Sequence, residues 1–259
     1  MLHPRMQNPQ NIIITGASSG LGAALAKAYA ASGVTLGLLG RNSARLAEVA
    51  GFCKAQGANV ETSSIDVRET EQMAKWIAEF DNSTPVDLLI ANAGVSAGAG
   101  GQQESYQKIY EIFGTNVDGV INSVLPIIPH MQKRKSGQIA IISSLAGLRG
   151  LPSCPAYSAS KAAVRLFGEG LRGDLKDHGI KVSVICPGYI KTPLTDVNTF
   201  PMPFIMSAEK AAGIIRRGLQ KNTSRIAFPL ALYIPLWLLT CLPNALTDPF
   251  FAALPKKSG

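Results

Sequence analysis

Tyr157 and Lys161 stand four residues apart, just after Pro155. A helix opened by that proline would stack the two side chains on one face. A phenol titrates near about 10 and is a poor acid or base at neutral pH. A cation beside it stabilises the phenolate and lowers that pKa, so a proton can pass to or from an alcohol or carbonyl oxygen. Ser144 follows the apolar run Ile139 to Ile142, at the end of an expected strand, where its hydroxyl can reach the same oxygen. The chain has six tyrosines, and Tyr157 alone has a lysine four residues on. A surface Tyr–Lys pair is the competing reading of that spacing taken by itself.

Something must hold a second reactant against this group. Asn11 to Thr15 is a short apolar run, as expected of a buried parallel strand, and T-G-A-S-S-G-L-G follows at 15–22. A helical pattern then runs to Gly33. Glycines in such a turn let the backbone approach a pyrophosphate, which sits among the free N–H groups of the helix start. The spacing is G-x-x-x-G-x-G and not the general G-x-G-x-x-G, so a bare tight turn is the alternative. The next strand, Thr35 to Leu39, leads into Gly40, Arg41 and Asn42. An acid usually holds the ribose 2′-hydroxyl of NAD there; Arg41 would instead pair with a 2′-phosphate, which points to NADP. A solvent-exposed arginine is the other reading. Asn42 or Ser43 caps a helix reaching Gln56.

Further expected elements are a strand from Val60 to Ile65 ending at Asp66 and Val67, a helix from Thr70 to about Asp81, and a strand from Val86 to Ala91. Asn92, Ala93 and Gly94 open a glycine-rich loop through Gly101 beside the ligand crevice. One long helix, about Ser105 to Met131, carries Asn116, a core amide or a point where a bound water bends the helix. The helix of Tyr157 runs to about His178, and the strand Lys181 to Cys186 ends at Pro187 and Gly188. Six or seven strands alternating with helices predict an α/β fold: a Rossmann-like, doubly wound open parallel sheet with helices on both faces. Ligands bind such sheets at the carboxyl ends of the strands, where the glycine turn, Arg41, Asp66, Asn92, Ser144 and Pro187 all fall.

The chain has 259 residues with 46% hydrophobic content, enough for one sizeable core. The expected division is an N-terminal extension (1–10), one catalytic domain (11–229) and an apolar C-terminal extension (230–259). Four cysteines form no C-x-x-C pair and three histidines are dispersed, which argues against a metal site and for a reduced compartment. The N-terminus lacks an apolar signal core, so a cytoplasmic location is expected, with membrane association left open. A net charge of +8 can attract anionic cofactors, nucleic acid or lipid. No aromatics interleave with a basic stripe, which argues against nucleic acid.

These residues, in this order, resemble the short-chain dehydrogenase/reductase family in its single-domain form, over about residues 11 to 229. The marks are T-G-A-S-S-G-L-G, Asp66-Val67, Asn92-Ala93-Gly94, Asn116, Ser144, Y-S-A-S-K at 157–161, and Pro187-Gly188. Ala91 departs from the pattern, since many members have a second Asn there. The resemblance implies Tyr157 as general acid, with Lys161 lowering its pKa and holding the nicotinamide ribose. It also implies Ser144 as orienter of the carbonyl and Asn116 as holder of a relay water. Gly16, Ser18, Ser19, Gly20, Leu21 and Gly22 would meet the pyrophosphate and ribose, with Arg41 and Asn42 beyond them. Asp66 and Val67 would flank the adenine, Asn92 to Gly94 the adenosine side, and Pro187, Gly188, Ile190 and Thr192 the nicotinamide end. The implied activity is NADP(H)-dependent hydride transfer between nicotinamide and a carbonyl or alcohol, by a homodimer or homotetramer. A sugar epimerase or dehydratase relative, and a non-catalytic NADP-binding sensor or scaffold, are the alternatives.

The segment Pro193 to Met206, with Phe200, Met202, Phe204, Ile205 and Met206, is expected to cover an apolar pocket. From Ile226 to Leu242 no charge occurs. After a last strand at Arg225 to Phe228, about a dozen residues remain for a helix interrupted by Pro235, too short to cross a bilayer. A helix apolar on every face must be buried in protein or lipid. Tyr233, Trp237, Lys256 and Lys257 suit a shallow membrane contact; a subunit interface over the pocket is the alternative.

Overall fold

Alternation along the first strand sets up both faces of the sheet. In β1 (Asn11–Thr15), Ile12 and Ile14 point into one hydrophobic layer and Ile13 into the other, all three without exposed surface. The computed structural model of the chain describes residues 8–96, 104–152, 154–196, 198 and 200–252. The other strands of the main sheet are β2 (Thr35–Leu39), β3 (Asn59–Ser63), β4 (Leu88–Ala91), β5 (Gly137–Ile142), β6 (Ile180–Pro187) and β9 (Arg225–Phe228). They pair in the order β3-β2-β1-β4-β5-β6-β9, every pair parallel. The polar strand β3 forms one edge, while β4 and β5 are fully buried.

Both faces are covered by helices, as the expected doubly wound sheet requires. On one side lie α1 (Gly20–Tyr29), α2 (Ser43–Ala55) and α8 (Ala208–Gln220), whose Leu25, Leu46 and Ile215 meet Ile12, Leu36 and Ile185. On the other lie α3 (Thr70–Ser83), α5 (Gly119–Val124) and α7 (Pro155–Asp174), whose Phe80, Val124 and Val164 meet Ile13, Leu89 and Ile141. Gly37 is bare for a steric reason: a Cβ there would lie 2.8 Å from Trp76 and 2.9 Å from Phe80. A residue with any side chain would push the two stacked rings off the sheet.

Several expected boundaries shift. The single helix expected from Ser105 to Met131 is a rod of three α segments, α4 (Tyr106–Phe113), α5 and α6 (Ile128–Arg134). They are joined by a π-helical turn at Gly114–Asp118 and a 3-10 turn at Leu125–Ile127. Pro126 and Pro129 lack the N–H that an unbroken α ladder needs, which accounts for the second break. The helix of Tyr157 stops at Asp174 and not at about His178, because Lys176–His178 tightens into a 3-10 turn closed by Gly179 at φ 72. Helix α8 was not expected, nor were the two-residue strands β7 (Ile190–Lys191) and β8 (Met206–Ser207), which pair with each other. Beyond β9 come α9 (Leu230–Thr240) and α10 (Asn244–Ala252). The far part of the expected loop at 92–101 and Lys256–Lys257 lie outside the described residues.

Candidate active site

The strand order reverses between β1 and β4, and a cleft of about 980 Å³ opens along the carboxyl ends of the strands there. Every residue expected in the site lines this cleft except Gly22 and Asn116. Gly22 lies beneath the glycine turn, where a Cβ would come 2.2 Å from the Gly16 carbonyl oxygen, so it lets α1 pack against the turn.

At the near end, Gly16 and Gly20 take φ values of 66 and 54, which side chains disfavour. A Cβ on Gly16 would stand 2.8 Å from the Ala93 backbone, and one on Gly20 would stand 3.1 Å from the Thr192 methyl. The turn is braced from β4: Asn92 Nδ2 donates to the Thr15 carbonyl at 2.9 Å, and the Asn92 and Ala93 N–H groups both donate to Thr15 Oγ1. Asn92 therefore shapes the turn as well as lining the cleft, a role not read from the sequence. The first N–H groups of α1 have no acceptor within the helix, and the Ser19 side chain does not cap them. A bare backbone cradle ending in free N–H groups at a helix start fits the pyrophosphate of a dinucleotide.

The far end carries positive charge. Arg41 and Arg45 both line it, and Arg45 was not anticipated. Its signal lies one helical step beyond Arg41, since Asn42 caps α2 through the Arg45 N–H at 2.9 Å. Asp66 lies opposite. Its hydrogen bonds to Arg68, at 2.7 Å for the shorter, hold the carboxyl below its ordinary range, and Arg41 Nη1 is 3.7 Å away.

The third group of residues sits where β5 meets α7. Lys161 is 4% exposed, and its ammonium donates to the Ile142 carbonyl at 3.0 Å. The ammonium lies 5.9 Å from the centre of the Tyr157 ring. Ser143, also unanticipated, donates to the Lys161 carbonyl at 2.7 Å and locks the helix onto the strand end. Ser144 accepts the Ala146 N–H at 3.1 Å and its hydroxyl donates to the Pro187 carbonyl at 3.4 Å, close enough to the Tyr157 phenol to favour its ionised form. A Cβ on Gly94 would lie 3.3 Å from Lys161 Nζ, so Gly94 leaves the ammonium open to the cleft.

In the nucleotide-free chain burial is the largest influence on the Tyr157 phenol and pushes it up to about 12, with the Ser144 hydroxyl pulling the other way. Burial likewise brings the lysine down to about 8. The Asn116 side chain makes three hydrogen bonds. Its Oδ1 accepts the Val95 N–H at 2.8 Å, and its Nδ2 donates to the Val95 carbonyl and Ser160 Oγ, both at 3.0 Å. Asn116 thus ties the π-helical turn to the loop after β4 and to α7.

The roof comes from two segments. Of the residues expected there, Phe200 lines the cleft, with Leu194 and Pro203, but Met202, Phe204, Ile205 and Met206 do not. From the other side come Leu232, Leu236, Leu239 and Phe251 of the C-terminal helices.

Comparison with known proteins agrees with this architecture. The family model described as short chain dehydrogenase matches residues 10–200. An uncharacterized oxidoreductase of Myxococcus xanthus is 37% identical over 237 residues, covering 91% of this chain and 94% of the relative. A ketoacyl reductase of Nostoc is 34% identical over 206 residues (79% and 70%). A fatty acyl-CoA reductase of Acinetobacter baylyi is 34% identical over 223 residues (83% and 74%). Among solved structures, a short-chain dehydrogenase/reductase from Burkholderia phymatum in complex with NAD superposes with a TM-score of 0.81 at 26% identity, covering 93% of this chain and 94% of that one. A short-chain dehydrogenase from Sphingobium yanoikuyae in complex with NADPH gives 0.80 at 23%, covering 96% and 98%. With a glycine cradle at one end of its cleft and a Ser–Tyr–Lys group farther along, the chain belongs to the short-chain dehydrogenase family of oxidoreductases.

Proposed function

We propose that the chain is an NADP(H)-dependent oxidoreductase that interconverts an apolar carbonyl compound and its alcohol, with Tyr157 as general acid and base. The observation that carries this reading is the convergence of Ser144, Tyr157 and Lys161 in the cleft that also holds the glycine turn and Arg41. The nicotinamide nucleotide, when bound, exchanges hydride with the substrate carbon. In reduction, the Ser144 and Tyr157 hydroxyls donate hydrogen bonds to the carbonyl oxygen. The Tyr157 proton passes to that oxygen as negative charge builds on it. A phenol held at about 12 keeps its proton at neutral pH, as a donor must. The Lys161 ammonium supplies the positive charge that faces the phenolate left behind.

Arg41 and Arg45, with no acid at the end of β2, support a 2′-phosphate and hence NADP(H). Known relatives bind either nucleotide, so this preference rests on the two arginines alone. An apolar substrate is supported by the roof of Leu194, Phe200, Leu232, Leu236 and Leu239 and by relatives named for ketoacyl and fatty acyl chemistry.

The test uses the purified chain with NADPH or NADH and ketones and aldehydes of rising chain length, followed by loss of nicotinamide absorbance. Tyr157→Phe should lower kcat by roughly two to four orders of magnitude with the nucleotide still bound. Arg41→Asp should move the preference towards NADH. Wild-type turnover in the Phe variant would reject the mechanism, and equal wild-type affinity for both nucleotides would reject the cofactor.

A further inference from the structure

The C-terminal helices cover the cleft with one side and face solvent with the other. No residue of α9 is fully buried, although no charge occurs between Arg225 and Asp248. Leu232, Leu236 and Leu239 turn to the cleft, whereas Leu230, Ile234, Trp237 and Leu238 stand exposed. In α10, Leu246 is 69% exposed. The opposite roof repeats the pattern: Leu194 and Ile205 are exposed, and Phe204 is 59% exposed on a backbone held at φ 57, a conformation rare for an aromatic residue. An apolar surface therefore rims the mouth of an apolar cleft.

We propose that this surface, the outer side of α9 and α10 with Phe204 and Ile205, docks on a lipid bilayer from which the cleft takes its substrate. The occupant is identified by what the surface does with its polar groups. The Thr240 hydroxyl donates to the Trp237 carbonyl at 2.7 Å, and the Cys241 thiol donates to the same oxygen. Asn244 Oδ1 accepts from Arg149 at 2.6 Å. On α9 the hydroxyls of Tyr233 and Thr240 are thus engaged from within, and the one charge of α10, Asp248, is paired with Arg149 although it is largely exposed. A protein partner would call for about one hydrogen bond per 100–200 Å². A lipid surface calls for none, and it penalises polar groups left unpaired. No helix among the described residues is long and apolar enough to cross a membrane, so the contact is shallow. The net charge of +8 favours anionic headgroups. The docking surface stands on these observations alone. Its substrate corollary, a carbonyl compound whose long apolar tail dissolves in lipid, rests on the function proposed above.

The intact chain is mixed with phosphatidylcholine vesicles, with or without phosphatidylserine, and sedimented. It should pellet with both and more strongly with the anionic set. The chain has two tryptophans, and Trp76 is buried at 9% exposure, so a blue shift of emission on adding vesicles reports Trp237 without any substitution. The double variant Leu238→Glu, Leu246→Glu should bind vesicles roughly ten- to a hundredfold more weakly. Reduction of a water-soluble ketone by that variant should be unchanged, which also shows that it is folded. A wild-type chain that stays in the supernatant with unshifted emission overturns the docking surface. So does a variant that loses oligomeric state while the wild type ignores vesicles, since the surface then meets a second copy. Vesicle binding is read without turnover, so loss of docking with reductase activity intact leaves the proposed function standing, and docking without activity rejects only that function.

Discussion

Lys161 shows what burial does to a single charged residue. Its folded pKa of about 8 lies below the ordinary lysine value of 10.5 because its ammonium is withdrawn from water. Between those values the unfolded chain still binds a proton that the folded chain has released. The stability of the nucleotide-free protein should therefore rise with pH across this window, and below about 8 the full penalty of a buried cation remains. In Lys161→Met the dependence disappears. The melting temperature of the variant minus that of the wild type should fall as pH is raised from about 8 to 10.5, read by thermal unfolding without nucleotide. A difference that stays flat or grows would contradict the burial assignment. Tyr157, Lys161 and Ser144 were legible in the sequence because a four-residue helical spacing and one strand end bring them together. Arg45, Ser143 and Asn92's bracing of Thr15 were not, since they follow from register and packing between distant segments. Nor was the rise that burial imposes on the tyrosine, which depends on how much water the fold removes.

At the scale of elements, α7 carries Tyr157 and Lys161, so whatever fixes its first turn fixes the geometry of both. Pro155 opens the helix, but Cys154 in the capping position gives no side-chain cap. Glu104 supplies one from the start of the preceding helical rod: its Oε2 accepts the Ala156 N–H at 2.9 Å. A carboxylate there also complements the positive end of the helix. Its Oε1 is buried without a partner among the described residues, so among these the carboxylate is held by that backbone bond. Glu104→Ala should cost about 1 kcal/mol of stability and lower kcat more than it changes KM. Glu104→Gln, which keeps the acceptor, should restore both. An alanine variant with wild-type melting and turnover would remove Glu104 from the positioning of α7. Sequence spacing could not show this contact, which joins residues 52 apart. The same holds for the division of the expected 105–131 helix. Asn116 marked the place, but its bonds to Val95 and Ser160 exist only once three segments are assembled. The apolar strands were legible because parallel strands buried on both faces read as unbroken runs, whereas β7 and β8 are too short to leave a pattern.

At the scale of the molecule, the question is what holds the C-terminal segment over the cleft. Part of the answer is apolar: Leu232, Tyr233 and Leu236 pack on Leu145, Val184 and Cys186 beneath α9. The polar part is concentrated in Arg149, on the loop that leaves β5 just past Ser144. Its guanidinium donates to Asn244 and Asp248, and lies 5.2 Å from the centre of the Phe251 ring. The ion pair alone adds little, because Asp248 is largely exposed and salt screens it. The three contacts share one planar cation and are lost together if it is removed. Arg149 also belongs to the same loop as the residues facing Tyr157, so the latch links the roof to the reacting end of the cleft. Arg149→Ala should make the apolar tail open more often, and limited chymotrypsin digestion within residues 230–251 should run roughly tenfold faster. High salt on the wild type should give only part of that effect, since the Asn244 bond and the ring contact do not depend on net charge. The KM for long-chain ketones should rise in the variant more than that for small ones, because Leu232, Leu236 and Leu239 line the cleft and offer apolar surface to a longer chain. Equal digestion rates for variant and wild type would show that the apolar packing alone keeps the roof closed.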